Sequence, residues 1–314
     1  INKGTSTIYI DNVFESDYYT GSVSPEYHTL ILDKNNTGTI KENLRADTLI
    51  IREGATLSIQ YADTLFLNHL LFESSKTNLA TLKSSSINDT AHIQVSNDVS
   101  IEFAEIENIT ALGASEYQAN NSSDNGGNSG WSFPEWNGTH YYWVGDAGFW
   151  SDTSHWATTS GGGVKHDTPP SRFDSVFVDQ NSFSTDNQYL YIDQDAYARY
   201  IDFTGVTNNP EFKYTGSTGN ELYVYGGLNL HESLEINFWN VYLYVNDTVD
   251  VSIPFNGNDF LNYFFKYGEG KINLTDSSHI SNMRVFSGSL EVNQVNTYLG
   301  DFDINSGGSK NINF

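Results

Sequence analysis

The chain has 314 residues, 14% of them aromatic, and carries 39 acidic against 15 basic residues for a formal net charge of −24. This length suffices for roughly one to three domains with a sizeable core. The acidic balance argues against nucleic acid and anionic membranes as partners, because binding to phosphates relies on basic groups that displace counterions. The same balance favours solubility and attracts divalent cations.

The absence of cysteine excludes disulfides, thiolate zinc sites and cysteine nucleophiles. No run of about 18 apolar residues occurs, so the sequence predicts no membrane insertion by this segment. The first residues carry no signal-peptide pattern. Because the chain begins with isoleucine and has a single methionine, Met283, we expect a processed product or a piece of a longer protein. The intact mass of the native protein tests this expectation.

Short segments with apolar residues at every second position predict β-strands along the whole chain. They include 48–51, 56–59, 64–67, 92–95, 99–103, 175–178, 189–192, 221–225 and 241–245. No window shows apolar residues recurring at three and four positions over several turns, so the pattern does not predict helices.

The spacing of the last strand segments indicates how the strands are arranged. Segments 271–274, 289–292 and 311–314 recur at spacings of 18 and 22 residues. A parallel β-helix needs turns of about 20 residues whose inward apolar side chains stack on those of the turn below. The sequence therefore predicts an all-β fold of right-handed parallel β-helix, or β-solenoid, modules. Repeats of a β-sandwich are the alternative, although Asn-Gly hairpin turns between alternating runs are scarce.

A tryptophan-rich stretch at 131–156 divides the chain. It holds five of the six tryptophans and follows a turn-rich segment at 120–130. We expect it to be a junction between two modules. The residues predicted to cap and pack this junction are Trp131, Trp143, Trp150 and Trp156.

The motif residues around this stretch carry a family resemblance. The run 141–156, followed by the glycines at 161–163 and by 169–183, resembles a repeat unit of very long cell-surface adhesins of gliding bacteria that use the type IX secretion system. Segment 126–133 is similar to the closing signature of the same unit. The chain departs from the pattern at Asp146, where a glycine is expected, and at Phe149, where a small polar residue is common.

The resemblance implies an extracellular, cell-surface repeat segment that attaches to surfaces or polysaccharide during gliding motility and is not an enzyme. Residues 1–133 would be the C-terminal part of one solenoid module. Residues 134–314 would be the N-terminal part of the next, opening with the Trp/Gly-rich motif 141–183. The secretion and gliding machinery would be contacted through other parts of the chain, and no cofactor is required.

Calcium is nevertheless a candidate ligand, because several loops combine glycine with hard oxygen donors that suit calcium better than zinc. The candidate ligands are Asp124, Asp146, Asp152, Asp174 and Asp179. The alternative is that these side chains cap turns.

Aromatic side chains offer a second route to binding, since flat rings stack on sugars. The residues predicted to bind ligand are Trp239, Tyr242 and Tyr244. If Val241 and Leu243 point inward, alternation turns both tyrosines toward solvent.

The bacteria implied by the resemblance attach O-linked sugars at Asp-Thr or Asp-Ser followed by an aliphatic residue, which makes this a predicted glycoprotein. Sites that fit the pattern are Thr48, Thr64, Thr90, Ser175 and Thr248.

Two other functions stay open. A β-helical polysaccharide lyase or glycosidase needs two acids beside the scissile bond, and the pairs Asp193 with Asp195 and Asp301 with Asp303 are candidates. A purely structural stalk or spacer is the third function. Turnover of acidic polysaccharide would indicate the enzyme. Binding without turnover would indicate the adhesin, and neither outcome would indicate the spacer.

Overall fold

The computed structural model describes residues 7–14, 26–113, 116–134, 138–214, 220–237, 240–244, 251–255, 259–267, 270–275, 278–286, 288–292, 297–303 and 310–313. Within these ranges parallel sheets wind into β-solenoid turns, about 11 in all, which confirms the predicted all-β solenoid class. Among the named strands described, one pairing is antiparallel and the others are parallel, so the β-sandwich alternative is wrong. None of the described segments is an apolar helix of membrane-spanning length.

The chain forms two compact units, Ile1–Asn137 and Gly138–Phe314. The division falls just after the predicted boundary at 133/134. The assignment of the units to successive repeat modules stays a prediction.

The first unit has two sheets of six strands and one of two strands among the residues described. Its strands are β1 (Thr7–Ile10), β2 (Asn12–Phe14), β3 (Glu26–Leu32), β4 (Thr37–Ile40), β5 (Leu44–Arg52), β6 (Thr56–Ile59), β7 (Thr64–Glu73), β8 (Ala80–Ser84), β9 (Ala91–Val95), β10 (Val99–Glu102), β11 (Ala104–Glu107), β12 (Ile109–Leu112), β13 (Tyr117–Asn120) and β14 (Ser123–Asp124). The sheet orders are β1-β3-β5-β7-β9-β12, β14-β11-β8-β6-β4-β2 and β10-β13.

In the first unit, in-register stacking explains why the alternating sequence forms this fold. Leu30, Leu49 and Leu70 are direct partners on successive turns and all are buried. Alternate side chains of a strand point to opposite faces, so a parallel register extends one buried position into a buried column. Each fully buried leucine contributes about 1.5–3 kcal/mol to folding.

The second unit has one sheet of nine strands and two of four strands among the residues described. Its strands are β15 (His140–Trp143), β16 (Gly148–Phe149), β17 (Trp156–Ala157), β18 (Ser175–Phe177), β19 (Tyr189–Ile192), β20 (Ala196–Asp202), β21 (Glu211–Tyr214), β22 (Leu222–Asn229), β23 (Glu235–Asn237), β24 (Asn240–Tyr244), β25 (Val251–Ile253), β26 (Asp259–Tyr267), β27 (Lys271–Leu274), β28 (Ser278–Val285), β29 (Gly288–Val292), β30 (Thr297–Asp303) and β31 (Lys310–Asn313). A 3-10 turn spans Thr153–His155. The sheet orders are β17-β15-β18-β20-β22-β24-β26-β28-β30, β16-β19-β21-β23 and β25-β27-β29-β31.

The uneven repeat read from the sequence corresponds to the register of the last sheet. Ile272 pairs with Leu290, and Leu290 pairs with Ile312, so the predicted spacings of 18 and 22 residues are successive turns. The extra residues of the longer turn lie between β29 and β31 and leave the backbone register of the sheet unbroken.

Asparagine supplies most of the left-handed corners that glycine does not. Ten non-glycine residues in the described ranges have positive φ, and seven of them are asparagine. They are Asn12, Asn35, Asn108, Asn121, Asn187, Asn208 and Asn209. The left-handed conformation costs most side chains energy, whereas the short polar side chain of asparagine bonds locally and tolerates it. Corners of this kind explain the asparagine-rich composition between strands.

Candidate functional site

Four buried rings from the first strands and loops of the second unit belong to its hydrophobic core. We call these residues, Tyr141, Trp143, Trp150 and Trp156, the aromatic cap. Each is at most 1% exposed. The ring of Trp156 lies at the centre and meets Tyr141, Trp143 and Trp150 edge to face at centroid distances of 6.1, 4.9 and 4.9 Å. Edge-to-face contacts of this kind add about 0.5–1.5 kcal/mol each beyond area burial.

Two indole N–H groups of the aromatic cap donate to backbone carbonyls, so the burial of these rings leaves neither donor without an acceptor. Trp143 Nε1 donates to the carbonyl of Asp146 at 2.9 Å, and Trp156 Nε1 donates to the carbonyl of Trp150 at 2.7 Å. A buried donor without an acceptor costs about 1–3 kcal/mol. The two bonds also fix the loop between β15 and β17 around the rings.

The aromatic cap lies where the nine-stranded sheet ends. Strand β17, two residues long, pairs antiparallel with β15, and Ala157 forms a further antiparallel bridge with Lys165. A short edge strand leaves little open backbone to pair with other chains. The cap therefore both fills the core and closes this sheet edge.

Trp131 belongs to the first unit, where it packs against the hydrophobic core. Its ring meets Tyr117 at 5.2 Å and Phe133 at 6.5 Å, while Ser132 forms a parallel bridge with Gln118. The four predicted junction tryptophans thus fall at the end of one core and the start of the other. Their role at a junction between repeat modules stays a prediction.

The ring of His155 requires glycine at position 148 of the motif. Its ring stacks on Trp143 at 4.7 Å with an interplanar angle of 9°, and its Nδ1 lies 2.8 Å from the carbonyl oxygen of Val144. A Cβ atom on Gly148 would lie 2.2 Å from His155 Nε2. Because the imidazole is held from two sides, position 148 has no room for a side chain.

Asp146, one of the two departures from the adhesin pattern, adopts φ of 69°, a conformation that favours glycine and that aspartate tolerates. Its carboxylate accepts from the backbone N–H of Ser184 at 2.6 Å and from the Ser184 hydroxyl at 3.0 Å. These bonds, the backbone one first, hold the pKa of Asp146 below its usual range. The aspartate therefore connects the β15–β16 loop to the loop before β19.

The other candidate calcium ligands also accept hydrogen bonds from their own loops. Asp152 accepts from the N–H of Ser154 at 2.9 Å at the start of the 3-10 turn, and Ser154 holds its pKa below the usual range. The wholly buried Asp174 accepts from the N–H and the hydroxyl of Ser171 at 2.8 and 2.7 Å.

Asp124 and Asp179 act in the same way. Asp124 accepts from the N–H of Gly126 at 3.0 Å and from Asn128 Nδ2 at 2.6 Å, and Asp179 accepts from the N–H of Asn181 at 2.9 Å. Within the described ranges, no three His, Cys, Asp or Glu side chains group as a metal site. These contacts match the turn-capping alternative, and calcium binding stays a prediction.

A column of stacked rings crosses the nine-stranded sheet, and we call Tyr197, Tyr223, Tyr242 and Phe265 the tyrosine column. The three tyrosines are partly exposed, whereas Phe265 is buried. Successive centroids are 5.0, 5.0 and 4.6 Å apart, with interplanar angles of 12°, 19° and 17°. Both faces of the Tyr242 ring are therefore covered by neighbouring rings. A sugar can meet Tyr242 at its edge or its hydroxyl, and not at a ring face.

Glu221 organises the hydroxyls of this column. It accepts from Tyr223 at 2.6 Å and from Tyr242 at 2.8 Å. Burial first, and then the nearby Glu221 carboxylate, raise the pKa of Tyr223 well above its usual value. Strand alternation does not indicate this contact, because Glu221 precedes β22 and lies one solenoid turn before Tyr242.

The remaining predicted ligand residues are only partly described. Tyr244 is the last residue of β24 and its backbone partner is Tyr267, while its side chain lies outside the described residues. Trp239 lies wholly outside them. Ligand binding by Trp239, Tyr242 and Tyr244 stays a prediction.

The candidate glycosylation sites lie on partly exposed positions. The hydroxyl residues Thr48, Thr64, Thr90 and Ser175 are all neither buried nor fully exposed, and Thr248 lies outside the described residues. The Thr48 hydroxyl bonds to the Asp47 carboxylate at 3.3 Å. Glycosylation stays a prediction at all five positions.

The candidate catalytic acids make structural contacts. Asp193 accepts from the N–H and the hydroxyl of Ser151 at 3.0 and 2.5 Å, and Asp195 accepts from the N–H of Glu221 at 3.1 Å. In the second pair, Asp303 lies 4.0 Å from Arg284, and the side chain of Asp301 lies outside the described residues.

Comparison with protein-family models, with curated proteins and with solved structures found no match. The resemblance of segment 126–183 to adhesin repeats stays a prediction.

We expect Trp150→Ala to lower the free energy of unfolding of the second unit by about 3–5 kcal/mol, because it empties a buried ring site between Trp156 and Phe212. Chemical denaturation followed by circular dichroism measures the change. Trp150→Phe, which keeps a ring there, should lose less. Unchanged stability in Trp150→Ala would show that the stretch is only a linker.

Gly148→Ala should destabilise the second unit by about 1–3 kcal/mol, because its methyl group overlaps the His155 imidazole. Adding His155→Ala removes the clash, so the double variant should lose less than the sum of the single losses. Thermal unfolding of all four chains completes the cycle. Strictly additive losses would contradict the steric account.

Asp146 should make stability sensitive to acid. Its folded pKa is lowered, so its contribution is complete above about pH 5 and disappears as pH falls past the unfolded value of about 3.9 and through the folded pKa. We expect the melting temperature of Asp146→Asn to fall less steeply with acid than that of the unsubstituted chain. Asp167→Asn removes the same charge from an exposed side chain and is the control. Equal slopes for the two variants would contradict this role of Asp146.

Proposed function

We propose that this chain is a segment of a long extracellular bacterial adhesin that attaches to polysaccharide or other surfaces during gliding and does not catalyse a reaction. Solenoid units build its length, and their outward side chains make the attachment. The secretion and gliding machinery is engaged by other parts of the protein.

The observation that carries this proposal is the tyrosine column. Parallel stacking repeats an outward side chain on each turn, so the sheet presents rings and hydroxyls in a line rather than a single concave centre. Neighbouring rings cover the ring faces inside the column, so ring edges and polar tyrosine tips are the parts that a ligand would meet. A linear ligand such as a polysaccharide has the matching shape.

Charge supports the same ligand class. Glu221 at the column and a net charge of −24 disfavour polyanions, whereas carboxylates readily accept hydrogen bonds from sugar hydroxyls. The resemblance of segment 126–183 to adhesin repeats supports the cell-surface location and the link to gliding.

Sedimentation of the full chain with microcrystalline cellulose, chitin and agarose tests the proposal. We expect the chain to be retained on at least one solid and to release no new reducing ends or unsaturated sugars from it. The same assay includes soluble acidic polysaccharides as substrates.

Release of products would contradict the adhesin and support the polysaccharide-processing enzyme. If the chain is not retained and releases no product, the adhesin proposal is contradicted and the spacer is supported. A chain unfolded by heat is the control for non-specific adsorption.

A further inference from the structure

The outer face of the sheet β16-β19-β21-β23 carries a second aromatic group, which we call the Phe149 platform: Phe149, Tyr189, Tyr191 and Lys213. Phe149 pairs in register with Tyr191, and Tyr191 with Lys213. The Phe149 and Tyr191 rings are 5.7 Å apart and stacked at 21°. Tyr189 lies 4.2 Å from Tyr191.

Phe149 lies on β16, the edge strand of its sheet. The sheet therefore supplies a stacked ring on one side of Phe149, whereas an inner ring of the tyrosine column has one on both sides. Tyr191 covers Phe149 from one side, and the Phe149 side chain is 45% exposed. Exposure of phenylalanine to water is unfavourable, because its apolar ring surface gains free energy on leaving water. A ring held flat by a stacked neighbour is already oriented, so little entropy is lost when a ligand binds.

Charged and polar groups lie elsewhere on this part of the unit, on β21 two strands from Phe149 and in the loop that follows Phe149. Lys213 Nζ lies 4.9 Å from the Tyr191 ring centre and forms an ion pair with Glu211. Beyond Phe149, the Ser151 hydroxyl bonds to the Asp193 carboxylate. A sugar chain that extends across the sheet from Phe149 would pass these donors and acceptors, since Phe149, Tyr191 and Lys213 are in register.

We propose that the Phe149 platform is a subsite for one neutral pyranose with equatorial substituents, such as the β-1,4-linked glucose units of cellulose. Such a sugar presents a flat face of C–H groups to the ring and directs its equatorial hydroxyls away from that face. This inference rests on the proposed function, because it assigns polysaccharide attachment to a particular residue.

Size and charge favour a sugar over other occupants. One exposed ring with an ionic rim is far smaller than the roughly 1,200 Å² that a stable protein interface buries. Asp193 and Glu211 on this part of the unit disfavour anionic sugars, and Lys213 beside Tyr191 disfavours cations. A neutral sugar avoids both penalties.

Titration of the full chain with cellohexaose, followed by calorimetry, tests the subsite. We expect measurable binding, a loss of at least about tenfold in affinity for Phe149→Ala, and retention within about twofold for Phe149→Tyr, which keeps the flat ring. Tyr61→Ala is the matched control, since Tyr61 is 52% exposed on a turn of the first unit and should leave the affinity unchanged. Equal melting temperatures verify that each variant is folded.

Unaltered affinity in Phe149→Ala, or no binding of cellohexaose by the unsubstituted chain, would overturn the subsite. Either result leaves the adhesin proposal to the sedimentation assay with solid polysaccharides, so the two failures are distinguishable. A dimer in sedimentation velocity that Phe149→Ala converts to monomer would also overturn it, because a second copy of the chain would then occupy the ring.

Discussion

The parallel register between successive turns is the constraint on which the rest of this structure depends. Each strand pairs with the strand one turn later, so a residue's place in the core or on the surface is repeated from turn to turn. The inward result is a continuous column such as Leu30, Leu49 and Leu70. Outward side chains are repeated in the same way, so similar side chains on neighbouring turns lie within stacking distance of each other. The tyrosine column follows from the same hydrogen bonds as the core.

Parallel stacking also creates ends, and an end exposes both apolar side chains and open backbone. In the second unit the antiparallel strand β17 and the aromatic cap cover one such end. Tryptophan suits this place because its large ring fills the space that a further turn would occupy. Its N–H finds a carbonyl within the same loop, as Trp156 does at Trp150. Stability at the end is thus supplied by local contacts and not by another repeat.

Strand positions could be predicted from sequence because alternation is a local property. Segment 56–59 was predicted as a strand, and β6 spans Thr56–Ile59. The recurrence of segments 271–274 and 289–292 even gave the register, since similar side chains follow one another at nearly the length of one turn. The partner rings of Tyr242 could not be predicted in this way. They depend on where the turns before and after it close, and those turns differ in length.

The aspartates show a different limit. Composition cannot separate a calcium ligand from a turn cap, because both uses require a short carboxylate near glycine. The distinction lies in which N–H groups face the oxygen atoms, as Ser184 faces Asp146 and Ser171 faces Asp174. Those donors come from backbone geometry that forms only once the loops are in place.

A solenoid that stacks its aromatic residues faces a conflict between cohesion and binding. Inside a column each ring face is covered by the next ring, so the contacts that stabilise the sheet remove the surface a sugar would use. A ring face stays open only where a column ends, as at Phe149 on the edge strand β16. Binding by ring faces should therefore scale with the number of column ends and not with the number of aromatic residues. A protein built from many short units has more such ends than one built from a single long solenoid.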